Sequence, residues 1–402
     1  MPNAPKKILV AEDDLASGKI LRTLLEKWGF QVLTATDGRQ AWEVFRGDPD
    51  IHIIVSDWMM PDVDGVELCR LVRNLEGRRY TYFILLTAKS QIGDVVSGLE
   101  AGADDFVTKP FNQYELRVRI RAGERVVDLE TQLANKVEEL SRAYRQMRRD
   151  LEAAATMQRS MLPVASGELP GMVYASRYIP SQEVGGDLFN LVRLDASRLG
   201  VYIFDVSGHG IPAALQSVAM GRMLSTADLQ TGLLFAGDES EGGTEVLSPR
   251  EVARKLNSRF QSASSKGDFI TFLYGVLDTK AATLTYTRAG HPCPVHVSNG
   301  SVVEIADLGD IPIGIIPHYD YAENTLNLTP GDRLYFFTDG IAEAANSRRE
   351  RFGEQRMHEY LESASGLTLD ESVNGLVQRV LEWRDREVIN DDMSILGIEV
   401  RF

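Results

Sequence analysis

The chain has 402 residues, 44% of them hydrophobic and 25% charged, with a net charge of −15. That length suggests two or three soluble domains, and no run of 18 apolar residues exists to span a membrane. Net charge is −2 over residues 1–122, 0 over 123–162 and −13 over 163–402, so phosphate repulsion excludes DNA and RNA as partners of the last segment. The opening MPNAPKKILVAEDD meets carboxylates where a secretory signal has an apolar core. Two distant cysteines, Cys69 and Cys293, offer no disulfide framework and no zinc spacing. Both features fit a reducing cytoplasm.

Residues 1–122 alternate short apolar runs with helical patterns. The runs ILVA (8–11), FQVLTA (30–35), IHIIVS (51–56), YFILLT (82–87) and FVT (106–108) predict strands. Continuous apolar strands separated by amphipathic helices predict a doubly wound parallel sheet, an α/β flavodoxin-like fold. In such sheets the site lies beyond the carboxyl ends of the strands.

Residues 123–162 predict one long helix. There is no proline before Pro163 and no glycine after Gly123 in the segment. Val126, Leu133, Leu140, Met147, Ala154 and Met161 recur every seven residues, and Val137, Tyr144 and Leu151 form a second seam. Glu130 and Gln158 are the weak positions. The heptad predicts a parallel coiled coil and a homodimer. The alternative is a helix folded back on its own domains.

Residues 163–402 mix strands and helices, which predicts an α+β domain. Predicted strands are RLGVYIFDV, TFLYGVLD, ATLTYTRA, VHVSN, DRLYFFTD and MSILGIEV; predicted helices are AALQSVAMGRMLSTA and REVARKLNSRFQSA. Ser248-Pro249-Arg250-Glu251 reads as a capping box with proline at the first helical position. Between the two helices, GLLFAGDESEGGTEVL has the composition of a flexible loop.

The ends of the first, third, fourth and fifth strands carry Glu12-Asp13-Asp14, Asp57, Thr87 and Lys109-Pro110. Gathered at one sheet edge, these residues form a carboxylate cluster with a hydroxyl and an ammonium. Hard oxygen ligands suit Mg²⁺, and a metal-flanked aspartate can accept a phosphoryl group as an acyl phosphate. The whole segment resembles the CheY-like receiver domain of response regulators, through ILVAEDD, SDWMMPDVDG, LLTA and GADDFVTKPF. The resemblance implies that Asp57 accepts phosphate from a sensor histidine kinase. It implies Mg²⁺ held by Glu12, Asp13, Asp57 and the carbonyl of Met59, and a switch formed by Thr87, Phe106 and Lys109, with a cis Lys109-Pro110 bond.

In the last segment four aspartates stand at strand ends or turns: Asp187 in VGGDLF, Asp205 in FDVSGHG, Asp339 in FFTDG and Asp391 in NDDMS. Several carboxylates with few histidines suit paired Mg²⁺ or Mn²⁺ rather than zinc. Nine blocks, among them MQRSMLP, EVGGDLFNL, FDVSGHGIPAAL, RAGHPCPV and NDDMSILGIEV, resemble the SpoIIE-type branch of metal-dependent serine/threonine phosphatases, the type 2C (PPM) family. The resemblance implies two packed β-sheets flanked by helices, and two Mn²⁺ or Mg²⁺ ions held by Asp187, Asp205, Asp339 and Asp391 with the carbonyl of Val206. Asp391 is preferred over its neighbour Asp392. His209 and His291 are candidates for catalytic support. No arginine is clearly placed for the substrate phosphate.

GGDLF at 185–189 also looks like the signature of diguanylate cyclases. That chemistry needs an acidic residue where Leu188 stands, and it leaves Asp205, Asp339 and Asp391 unexplained. The expected function is therefore a response regulator whose Asp57 phosphorylation controls a protein phosphatase. The resemblance implies a phosphoserine or phosphothreonine substrate on a STAS-type anti-sigma-factor antagonist. The competing reading is a module that sequesters a partner without turnover, and a third is a scaffold that recruits partners through the coiled coil.

Overall fold

The structure is a computed structural model. It describes residues 6–88, 98–208, 210–225, 232–236, 245–263, 267–307, 309–385 and 390–402. Two compact units divide the chain, Met1–Gln146 and Met147–Phe402.

The first unit contains β1 (Lys7–Ala11), α1 (Leu15–Lys27), β2 (Gln31–Ala35), α2 (Gly38–Gly47), β3 (Ile51–Asp57), α3 (Gly65–Arg73), β4 (Tyr82–Thr87) and β5 (Asp105–Thr108). The strands pair in parallel in the order β2-β1-β3-β4-β5. Every residue of β4 is buried, as expected for a strand covered on both faces. Aspartates open the helices: Asp14, Asp37 and Asp64 accept the main-chain amides of Ser17, Gln40 and Glu67. The strand order reverses between β1 and β3, and that switch point is where such sheets bind ligands.

The long helix α4 (Gln113–Arg159) follows. Forty-seven residues make it about 70 Å long. It starts inside the first unit, where Leu116, Ile120 and Val127 complete the hydrophobic core beside Ile8, Ile53 and Ile84. Leu129, Leu133, Val137, Leu140, Tyr144 and Met147 are all exposed. At the far end Ala155 and Gln158 are buried, Leu151 is half-buried and Ala154 is exposed. The expected seam position Ala154 thus yields to Ala155. The helix end packs on its own unit, where Ala155 meets Val184 and Ala214.

The second unit forms, in its described residues, two large antiparallel sheets and a two-stranded one. Its elements are β6 (Ser166–Leu169), β7 (Met172–Ile179), β8 (Leu188–Arg193), β9 (Arg198–Val206), α5 (Ile211–Met223), β10 (Phe235–Ala236), β11 (Glu245–Val246), α6 (Pro249–Ala263), β12 (Ile270–Asp278), β13 (Thr283–Ala289), β14 (Val295–Ser298), β15 (Ser301–Val303), β16 (Asn324–Asn327), β17 (Arg333–Phe337), α7 (Asp339–Ala342), α8 (Gly353–Ser363), α9 (Leu369–Trp383) and β18 (Met393–Val400). One large sheet runs β16-β13-β12-β9-β8, the other β15-β14-β17-β18-β7-β6.

Alternation along the strands sorts the core into layers. Val201 and Ile203 of β9, Leu273 of β12, Leu334 and Phe336 of β17 and Leu396 of β18 meet between the sheets. Tyr202 and Phe204 face the other way, under α5 and α6 with Met220 and Leu256. Tyr335 and Phe337 face α8 and α9 with Met357 and Leu376. The Ser248–Glu251 capping box forms, with both reciprocal hydrogen bonds present. The expected flexible loop is structured at its described ends. Leu233 and Leu234 are fully buried and β10 pairs with β11; residues 237–244 lie outside the described residues.

Candidate functional sites

In the first unit, Glu12 and Asp13 follow β1 and Asp57 closes β3, on either side of the switch point. One carboxylate oxygen from each lies within 4.8 Å of the others. Lys109 joins them, with Nζ 2.8 Å from Asp57 and 2.7 Å from Glu12. Burial raises the Glu12 pKa, opposed by its hydrogen bond to Lys109 and aided by the charge of Asp57. Burial works against the charge on Lys109, but its bonds to Asp57 and Glu12 outweigh it and raise the pKa. Asp14 is spent as the cap of α1. Thr87 is buried at the end of β4, Phe106 is half-buried in β5, and the Met59 side chain is exposed. The Lys109-Pro110 bond is cis.

In the second unit the register gathers the four aspartates at one end of the sandwich. Leu188 pairs with Phe204, which sets Asp187 opposite Asp205. Phe337 pairs with Ile395, which sets Asp339, just beyond β17, close to the approach to β18, where Asp391 stands. Burial and the like charges of the carboxylates outweigh the lowering effect of Arg351 on Asp339. Burial first, then the charges of Asp339, Asp391 and Asp392, push the Asp205 pKa up to about 8. Burial and the charge of Asp339 push Asp391 up to about 6. Asp187 is also raised, by burial and by the charges of Asp205 and Asp392. Asp339 is raised by burial and by Glu343. Carboxylates that repel one another in a confined site are a donor set suited to divalent cations.

Glycines allow the close approach. A side chain on Gly185 would meet Asp392 Oδ2 at 1.9 Å, and one on Gly186 would meet the carbonyl oxygen of Val206 at 2.8 Å. Asp392 itself is occupied. Its Oδ1 accepts the amide and hydroxyl of Ser181, and its Oδ2 accepts the amide of Gly186. It ties the loop before Asp187 to the start of β18, which leaves Asp391 as the freer of the two.

His291 is fully enclosed. Its Nδ1 shares a hydrogen bond of 2.9 Å with Thr271 Oγ1, and burial lowers its pKa to about 3. It is therefore neutral and suited to bracing strands rather than donating a proton. Thr271 pairs with Asp205 in the sheet, so the brace adjoins the acidic cluster. His209 lies outside the described residues.

Sequence reasoning missed three contributors. Thr338 and Ser394 both donate to Asp187 Oδ2 at 2.7 Å. Arg384, buried after α9, lines one cavity with Glu343, Asn390 and Asp391. The first two lie within the FFTDG and NDDMS motifs, which is the signal that could have found them. Arg384 stands outside every motif.

The family model described as Stage II sporulation protein E (SpoIIE) matches residues 195–401, more than half of the chain. The chain belongs to the SpoIIE family. The model of the response regulator receiver domain matches residues 8–121, and the first unit is a receiver domain. "Phosphoserine phosphatase RsbP" of Bacillus subtilis is 27% identical over 202 residues, covering 50% of this chain and 47% of the relative. "Probable transcriptional regulator ycf27" of Cyanophora paradoxa is 41% identical over 117 residues, covering 29% of this chain and 47% of the relative. The chain spans about half the length of the curated relatives it matches. Among solved structures, the SiaA-PP2C domain of Pseudomonas aeruginosa matches with 23% identity and a TM-score of 0.52, over 65% of this chain and 98% of that one. It shares the PP2C fold of the second unit. No helix among the described residues is long and apolar enough to cross a membrane.

Proposed function

We propose that this protein is a response regulator whose output is metal-dependent dephosphorylation of a phosphoseryl or phosphothreonyl protein. The observation that carries the reading is the meeting of Asp187, Asp205, Asp339 and Asp391 at one end of a PP2C sandwich, each with its pKa raised. These four residues, with the carbonyl of Val206, would hold two Mn²⁺ or Mg²⁺ ions. Bound ions would supply an activated water and neutralise phosphoryl oxygens. The chain's part is to bring the carboxylates together where bound cations would favour their ionised form, and Arg384 beside Asp391 is a cation for the phosphoryl group. Water adds to phosphorus, the seryl or threonyl P–O bond breaks, and inorganic phosphate leaves.

On the input side, Asp57 attacks the phosphorus of a kinase phosphohistidine and the P–N bond breaks; Glu12, Asp13, Asp57 and the Met59 carbonyl would hold a Mg²⁺ that neutralises phosphoryl oxygens. Lys109 then exchanges its bond to Asp57 for one to the phosphoryl group. Thr87 and Phe106 respond to that change. The boundaries that suit this division are 1–122, 123–162 and 163–402. A second copy of the chain is the partner for the exposed stripe Leu129–Met147. Each leucine buried there contributes roughly 1.5–3 kcal/mol. RsbP is named a phosphoserine phosphatase, which favours phosphoserine, and a STAS-type anti-sigma-factor antagonist is the substrate class we infer.

Hydrolysis of p-nitrophenyl phosphate with Mn²⁺ tests the enzymatic reading, with Asp187→Ala as control. Metal-dependent turnover lost in the variant supports it. A wild-type protein that binds a phosphoprotein and never turns it over would replace it with the sequestering module.

A further inference from the structure

Asp187 is the least exposed of the four aspartates, at 1%, and it belongs to a different sheet from Asp339 and Asp391. Something must hold its carboxylate in one orientation across the gap between the sheets. Two hydroxyls do so. Thr338 Oγ1 and Ser394 Oγ each donate to Oδ2 of Asp187 at 2.7 Å. Both residues are fully buried. Thr338 immediately precedes Asp339, and Ser394 stands in β18, just after Asp391. They also bond each other's strands: the Ser394 amide donates to Thr338 Oγ1 at 3.0 Å, and the Thr338 amide donates to the Ser394 carbonyl at 3.1 Å.

We infer that Thr338 and Ser394 are positioning residues that select which oxygen of Asp187 faces the metals. Two donors converge on Oδ2, so Oδ1 keeps its lone pairs for coordination. The side-chain rotamer is fixed by two bonds rather than one. The same bonds tie Asp187 on the first sheet to the strand ends that carry Asp339 and Asp391 on the second. The site is thus registered across the sandwich by hydroxyls. Groups behind a metal ligand commonly change affinity by 10–100-fold when removed.

This inference rests on the phosphatase reading, and the experiment separates the two. Mn²⁺ binding to the full chain is followed by calorimetry, with far-UV circular dichroism as a check on folding. Thr338→Val and Ser394→Ala are expected to weaken Mn²⁺ binding by about 10–100-fold, while Thr338→Ser, which keeps the hydroxyl, stays close to wild type. Ser394 Oγ has Asp187 as its partner, so Ser394→Ala carries the test alone if Thr338→Val does not fold. Folded variants that bind Mn²⁺ as tightly as wild type would overturn the positioning role and leave the phosphatase reading standing. A wild-type chain that binds no Mn²⁺ would overturn both.

Discussion

The side-chain amide of Gln158 holds both main-chain groups of Gly185: Nε2 donates to the carbonyl at 2.7 Å and Oε1 accepts from the amide at 3.3 Å. Gln158 also donates to Ser217 Oγ of α5 at 3.0 Å. It lies in the last turns of α4, and Gly185 stands two residues before Asp187. A polar residue at a weak heptad position therefore serves as the contact between the long helix and the acidic loop. Gln158→Leu keeps the volume and leaves buried polar groups unpaired, which costs about 1–3 kcal/mol. Urea unfolding is expected to show that loss. The phosphatase rate is expected to stop responding to the state of Asp57. A variant with wild-type stability and response would remove Gln158 from the coupling.

The acidic cluster predicts a pH dependence of known sign. Asp205 and Asp391 have pKa values raised to about 8 and about 6, mainly by burial. Between the unfolded value near 4 and those folded values, the native state binds more protons than the unfolded chain. Stability of the metal-free protein therefore falls as pH rises through that window. Thermal unfolding without metal is expected at a lower temperature near pH 8 than near pH 5. Mn²⁺ is expected to stabilise more at the higher pH, because fewer protons must leave. A melting temperature that climbs with pH in the absence of metal contradicts this.

Adjacent aspartates are expected to behave in opposite ways. Asp392 accepts three short bonds from Ser181 and Gly186, so Asp392→Asn destabilises the fold by about 1–3 kcal/mol. Asp391 sits among like charges, so Asp391→Asn leaves the metal-free melting temperature unchanged or higher and weakens Mn²⁺ binding at least about tenfold. Calorimetry on the pair, with and without metal, reads both. The reverse pattern would exchange their roles.

Exposure of Leu133 and Leu140, at 59% and 71%, predicts self-association through α4. Wild-type protein is expected to sediment as a dimer, and Leu133→Glu with Leu140→Glu as a monomer of unchanged helicity, since burying a charge in the seam is unfavourable. A monomeric wild type would leave the stripe without a second copy.

Much of this molecule is legible in its sequence for a physical reason. Strands buried on both faces, such as Tyr82–Thr87, read as unbroken apolar runs, and RLGVYIFDV marks β9 from end to end. The aspartates announce themselves beside glycines because backbone must come close to carboxylate at Gly185 and Gly186. What sequence conceals is register. Thr338 and Ser394 reach Asp187 only because β17 and β18 pair as they do. Ala155 replaces Ala154 at the buried face because the helix end packs on Val184 and Ala214 of its own unit. Helices α8 and α9 lie beyond the two named from sequence, though the Thr368–Glu371 capping box marks the start of α9.

The central claim is that one phosphorylation controls the removal of another. The most direct measurement is the Mn²⁺-dependent phosphatase rate of the full chain with and without beryllofluoride, an acyl-phosphate mimic, on Asp57. The rate is expected to change in the wild type and to stay constant in Asp57→Asn. An equal rate in both states, with an unchanged oligomeric state, would contradict it.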